Sequence, residues 1–117
     1  MITQSINLNL IPNGKPLIVH CNQNDDCGNR LYFYFFLNGE PYLFDRSITH
    51  MYLRGTKPNG EKFSHIINLY RNEYAYYSLE DYMTDVAGDV YCNIEINEGN
   101  DRIGTQAFIL RVQEETK

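Results

Sequence analysis

The last third of the chain, Gly88 to Val112, leaves few folds open. It reads GDVYCNIEINEGNDRIGTQAFILRV. Val90, Cys92, Ile94 and Ile96 alternate with Tyr91, Asn93, Glu95 and Asn97. After the polar turn Glu98-Gly99-Asn100-Asp101, the residues Ile103, Thr105, Ala107 and Ile109 alternate with Gly104, Gln106, Phe108 and Leu110. Two period-2 runs around a short Gly-containing turn predict a long β-hairpin. A hairpin needs further strands to bury its apolar face, so the pattern demands an all-β scaffold.

The upstream sequence supplies those strands. Ile6, Leu8 and Leu10 alternate with polar residues, giving a strand at 4–10, closed by Pro12-Asn13-Gly14. Proline presets φ and glycine accepts φ > 0, so this tripeptide predicts a tight turn. A second strand follows at 16–21, then a polar loop, Asn22 to Asn29. The third, 30–37, is aromatic on both faces (RLYFYFFL) and ends at Asn38-Gly39. Left open it is an aggregation hazard. One face is therefore expected in the core and the other under a crossing segment or a partner chain. A short run at Tyr42–Phe44 and strands at 47–54, 62–70 and 73–77 follow, with Pro58-Asn59-Gly60 as a second tight turn. Ser78-Leu79-Glu80-Asp81 resembles a capping box, and Leu79, Tyr82, Met83 and Val86 recur at helical spacing before Gly88. These signals predict one short helix at 79–86. Strands at this spacing point to an antiparallel β-sandwich of about eight strands.

Composition narrows the function classes. A chain of 117 residues makes one domain, expected over 1–113, with 114–117 a charged tail at which a linker or coiled coil would begin. The net charge of −5 repels phosphate backbones, so a nucleic-acid partner is not expected. No apolar run approaches the ~20 residues of a membrane span, and MITQSINLNL lacks the basic and apolar regions of a signal peptide. The three cysteines, Cys21, Cys27 and Cys92, are an odd number. Without a signal peptide they read as reduced thiols, with a Cys21–Cys27 disulfide as the alternative.

Sites for chemistry are sparse. Asp25-Asp26 offers oxygen ligands, but the calcium-loop pattern is missing and a solvated loop explains the pair. His20, Cys21 and Cys27 lack the spacing and the second ligand pair of a structural zinc site. No nucleophile elbow or phosphate loop is present. The reading is a non-enzymatic domain with no catalytic residue, metal or cofactor.

The tyrosines are the remaining signal. Tyr70, Tyr74, Tyr76, Tyr77 and Tyr82 crowd one stretch. Such residues anchor interfaces or stack on sugars, or simply cover a sheet with their hydroxyls in water. With the aromatic third strand they nominate Tyr32, Tyr34, Phe36, Tyr74, Tyr76 and Tyr77 as an interface.

Several features in order resemble one family. They are the Met-Ile-x-Gln start, Gln23-x-Asp25-Asp26 before Arg30, and a strand ending in Asn38-Gly39. Then come Arg54-Gly55-x-Lys57-Pro58-Asn59-Gly60, Gly88, and Ile103-x-Thr105-x-x-Phe108-x-Leu110-x-Val112. Together they are similar to the N-terminal domain of phage baseplate upper proteins, of phages and prophages of Gram-positive bacteria. The Asp25–Asn29 loop and the doubly aromatic strand depart from that pattern. The resemblance implies a virion structural protein, made in the host cytoplasm and placed in the tail baseplate. Its β-sandwich docks on the distal tail protein ring and carries a receptor-binding or fibre module outward. It also implies contacts between copies, with a trimer in the full-length form. The reading from another class is a carbohydrate-binding module that recognises cell-surface glycans through exposed tyrosines. An immunoglobulin-like secreted module lacks its signal peptide and, with no Trp, its Cys…Trp…Cys core.

Overall fold

A computed structural model describes residues 2–10, 15–23, 29–79 and 83–114. The elements are β1 (Ile2–Asn9), β2 (Leu17–Asn22), β3 (Asn29–Leu37), β4 (Glu40–Pro41), β5 (Thr49–Thr56) and β6 (Lys62–Ile67). They continue with β7 (Leu69–Arg71), β8 (Tyr74–Ser78), β9 (Gly88–Glu98), β10 (Asp101–Gly104) and β11 (Phe108–Gln113). They form two sheets. One runs β1-β3-β8-β7, with β4 on β3. The other runs β2-β11-β9-β5-β6, with β10 on β9. The sheets pack face to face as the expected β-sandwich, 46 × 27 × 24 Å overall, but both are mixed rather than antiparallel, since β1 runs parallel to β3 and β2 parallel to β11.

Alternation decides what lies between the sheets. Ile6, Leu8, Leu31, Phe33, Phe35 and Ala75 point inward from the first sheet. Met51, Leu53, Val90, Cys92, Ile94, Ile96, Phe108, Leu110 and Val112 meet them from the second, and all are buried. Phe33 and Phe108 touch across the gap, their ring centroids 5.5 Å apart. Cys21 is buried and Cys92 is a buried free thiol; burial pushes Cys92 up to about 12, with Cys21 adding to the shift.

The turns use glycine and asparagine where the backbone needs them. Asn38 and Gly39 sit at φ 52° and 82°, the two left-handed positions of a type I′ hairpin turn, and join β3 to β4. Pro58-Asn59-Gly60 closes β5 onto β6, with Lys57 N–H donating to the Glu61 carbonyl at 2.8 Å. Pro12-Asn13-Gly14, the loop from Asn24 to Gly28 and residues Glu80–Tyr82 lie outside the described residues. The helix expected at 79–86 thus falls partly outside them. Of the remainder, Leu79 belongs to no regular element, Met83 is 3₁₀-helical and 84–86 bend.

The short run Tyr42–Phe44 joins no ladder. Phe44 instead plugs one end of the sandwich, its ring edge-on to Phe35 at 5.3 Å. The 62–70 strand breaks at Asn68, and the chain crosses there from the second sheet to the first. The return arm of the closing hairpin is also broken. Gly104 pairs with Glu95 but Phe108 with Cys92, so three residues face two. An extra residue of this kind is a β-bulge, and it flips every later side chain to the opposite face. Ile103 and Thr105 face inward before it; Phe108, Leu110 and Val112 do so after it. The bulge is held by Thr105, whose hydroxyl accepts from Ile94 N–H at 3.1 Å. Gln106, also buried, donates from its backbone N–H to the Asn9 carbonyl at 2.8 Å and from its side chain to the Lys15 carbonyl at 3.0 Å. It stitches the two sheets together.

The other end is closed by Lys57. Its side chain is buried (3% exposed) and its ammonium lies 2.6 Å from Asp85 Oδ1. Gln23 donates to the Asp85 carbonyl at 2.9 Å. Gly88, at φ 127°, leaves room for Pro58, which a Cβ would approach to 2.9 Å. Gly55 does the same for Phe63, whose ring would lie 2.3 Å from an added Cβ. The Gly-x-Lys-Pro-Asn-Gly motif is thus a packing device.

Candidate functional site

The outer face of the first sheet carries an aromatic platform. Strands β3 and β8 pair antiparallel, with Tyr32 opposite Tyr76 and Tyr34 opposite Tyr74. Since Leu31, Phe33 and Ala75 point into the core, these four tyrosines must point out. Tyr70 of β7 joins them. Ring centroids are 5.7 Å apart for Tyr32–Tyr76, 5.3 Å for Tyr34–Tyr74, and 5.6 Å and 5.7 Å for Tyr70 against Tyr74 and Tyr76. All lie in the range where tilted aromatic pairs attract.

The rings cover one another. Tyr32, Tyr34, Phe36 and Tyr74 are half-buried, while Tyr76 and Tyr70 are 37% and 52% exposed. The outer face of the doubly aromatic third strand lies within this platform. Among the described residues no segment crosses its outer face, and the neighbouring tyrosines shield it instead. Phe36 extends the row, opposite Pro41 on one side and Asn9 on the other.

Cations rim the platform. The Arg30 guanidinium sits 4.9 Å from the Tyr76 centroid and its Nε donates to Ser78 Oγ at 3.3 Å. A hydrogen bond to Tyr32 holds Arg30 above its usual range. Arg71 lies 5.7 Å from the Tyr70 centroid. On the other side, β1 contributes exposed Thr3, Ser5, Asn7 and Asn9.

The structure therefore brings together Tyr32, Tyr34, Phe36, Tyr74 and Tyr76 from the nominated set and separates Tyr77. Tyr77 pairs with inward Leu31, packs against the core and stacks on His65 at 5.6 Å. Two adjacent strand residues cannot share a face, so Tyr76 and Tyr77 had to part. Tyr70, part of the crowded stretch but outside the nominated set, joins the platform, and the two arginines were missed. Tyr70 sits beyond the strand break, where counting residues no longer gives the face. Tyr82 lies outside the described residues. Also among these, no group of three or more His, Cys, Asp or Glu side chains could hold a metal ion, and no helix is long and apolar enough to cross a membrane.

The chain matches no protein-family model and no curated protein. Among solved structures it is similar to the N-terminal domain of phage TP901-1 ORF48, with a TM-score of 0.66 and 16% sequence identity, over 97% of this chain and 99% of that one. The likeness is one of fold. It extends over nearly the whole length of both chains.

Proposed function

We propose that this domain is a structural module of a phage tail baseplate. It docks a receptor-binding or fibre module onto the tail-tip ring formed by the distal tail protein, and the aromatic platform is its docking surface. The observation that carries this reading is the end-to-end likeness to a phage domain of the same size. The ordered motifs similar to baseplate upper proteins support it independently. The platform fits the role: interfaces are enriched in Tyr and Arg, and their energy concentrates in a few such anchors. The domain acts by binding, without catalysis. Residues 1–113 form the docking unit, and a trimerising region follows in the full-length chain. The protein is made in the host cytoplasm and ends in the virion tail.

Capture of purified distal tail protein tests the reading. Tyr32→Ala with Tyr76→Ala is expected to weaken capture by at least tenfold, since hot-spot tyrosines contribute about 2 kcal/mol each. Tyr91→Ala, on the opposite face, is expected to leave it unchanged. Immunogold labelling of particles induced from the source strain is expected to mark the tail tip. Unlabelled, accessible tails, with glycan binding lost on Tyr74→Ala or Tyr76→Ala, would replace docking by the carbohydrate-binding reading. Tyr77→Ala is unsuited to either test because its ring packs inward.

A further inference from the structure

The charges of this acidic chain are unevenly spread. Its net charge is −5, yet strands β5, β6 and β9 to β11 turn Arg54, Lys62, Arg102 and Arg111 outward from the second sheet. Glu95 and Asp89 face the same way. Three of these cations are already paired: Arg54 and Arg102 share Glu95, and Arg111 holds Asp89. Lys62 makes no ion pair among the described residues.

Lys62 stands at the rim of a depression. In register, Lys62, Thr56 and Tyr91 form one row across β6, β5 and β9, and Ser64, Arg54 and Asn93 form the next. All six point outward, because Phe63, Gly55 and Cys92 between them are buried. Thr56 is short and its two neighbours in the row are long. Arg54 leans away from it, toward Glu95 at 2.6 Å and the Tyr52 ring, whose centroid is 5.6 Å from the guanidinium. The space left over Thr56 is an open dish of about 400 Å³, within the size range of small-molecule sites. Tyr91, 58% exposed, walls one side. The side chains of Thr56, Ser64 and Asn93 have no hydrogen-bond partner among the described residues.

We infer that this dish binds a saccharide carrying an anionic group. The three chemistries such a ligand needs meet here. An exposed tyrosine ring offers an apolar face to the C–H face of a sugar ring. The hydroxyls of Thr56 and Ser64 and the Asn93 amide both donate and accept, as sugar hydroxyls require. The Lys62 ammonium supplies a compact charge for a carboxylate or phosphate. A long polyanion such as a nucleic acid fits less well, because the rest of this acidic chain repels it beyond the dish. The site lies on the second sheet and does not depend on the docking proposal, which uses the first.

Titration of the isotope-labelled chain with glucuronate and with glucose-6-phosphate, followed by amide chemical shifts, tests the inference. Saturating shifts are expected at residues 54–56, 62–64 and 91–93, with a Kd of about 1 mM. Glucose and inorganic phosphate are each expected to bind about tenfold more weakly, since each lacks one half of the recognition. Lys62→Gln is expected to reduce glucuronate to the level of glucose. Tyr91→Ala is expected to remove the response to every sugar, whereas Tyr76→Ala, on the other sheet, leaves it intact. All three side chains are exposed, so circular dichroism should not change. Absence of shifts in these strands with both anionic sugars would overturn the inference. So would equal binding of inorganic phosphate, which marks a plain counter-ion contact, or full binding retained by Lys62→Gln. Displacement of glucuronate by a lower concentration of an oligonucleotide would replace the sugar by a nucleic acid.

Discussion

The two outer faces of the sandwich share one core and one strand geometry but are built from opposite chemistry. The first sheet shows rings: Tyr32, Tyr34, Tyr70, Tyr74 and Tyr76 lean on each other, with arginines at the rim. The second shows ion pairs. Arg54 meets Glu95 at 2.6 Å, Arg102 meets the same carboxylate, and Arg111 meets Asp89 at 3.0 Å. Its large exposed residues, Ile18, Ile66 and Tyr91, stand on three different strands. Exposed ion pairs contribute little because water already solvates both charges. Half-buried rings contribute area and also await more of it. The second face is dominated by paired charges, whereas the first offers one contiguous aromatic surface. That difference, more than the number of tyrosines, is why docking is proposed for the first sheet.

The contrast can be broken from beneath. Phe33→Ala removes a fully buried ring under the platform and opposite Phe108. A loss of about 3–5 kcal/mol is expected, with both faces melting in one transition by near-UV circular dichroism and by chemical denaturation. Two separate transitions would show that the faces are independent. Tyr74→Ala acts on the aromatic face alone. It deletes contacts to Tyr32, Tyr34 and Tyr70, and a loss of about 2 kcal/mol is expected from denaturant titration. Glu95→Gln acts on the ionic face alone and strips both arginines of their partner. A loss under about 1 kcal/mol is expected, vanishing at high salt. A cost as large as that of Tyr74→Ala would erase the distinction.

The smallest effects sharpen the comparison through pH. The Arg111 guanidinium bonded to Asp89 lowers that carboxyl below its usual value. Its contribution is present above the unfolded value near 3.9 and lost as pH falls through the folded one. Acid should thus weaken the ionic face first, and Asp89→Asn should flatten the stability profile slightly below about pH 4. In the core, Cys92 is raised to about 12. Stability linked to it is present below the unfolded value of about 8.5 and declines as pH rises from there toward the folded value. Thiol labelling of Cys92 at pH 8 should therefore follow global unfolding rather than native exposure.

Much of this was legible in the chain because side-chain period and strand geometry are locally coupled. Alternation located β1, β2, β3, β5, β8 and β9 and separated core from surface along each. It also put Tyr32 with Tyr34, and Tyr74 with Tyr76. It failed where one residue of register was gained or a strand changed sheets. At Thr105–Ala107 the bulge reversed the face of Phe108 and Leu110. The spacing Thr105-x-x-Phe108 records that extra residue, but an alternating pattern hides it. At Asn68 the chain crossed between sheets and moved Tyr70 onto the platform. Tyr77 followed the same period-2 rule inward, against its grouping with Tyr76.

By itself, then, the sequence determined an all-β sandwich, most of its strands, the turns at Asn38-Gly39 and Pro58-Asn59-Gly60, and the absence of any recognisable catalytic motif. These depend on local dihedral preference and on which residues leave water. Only the tertiary structure decided which strands share a sheet, that Lys57 is buried against Asp85, and that tyrosines from three strands form one surface. Those outcomes depend on contacts between residues tens of positions apart, such as Asn9 with Gln106, and no local pattern encodes the partner of such a contact.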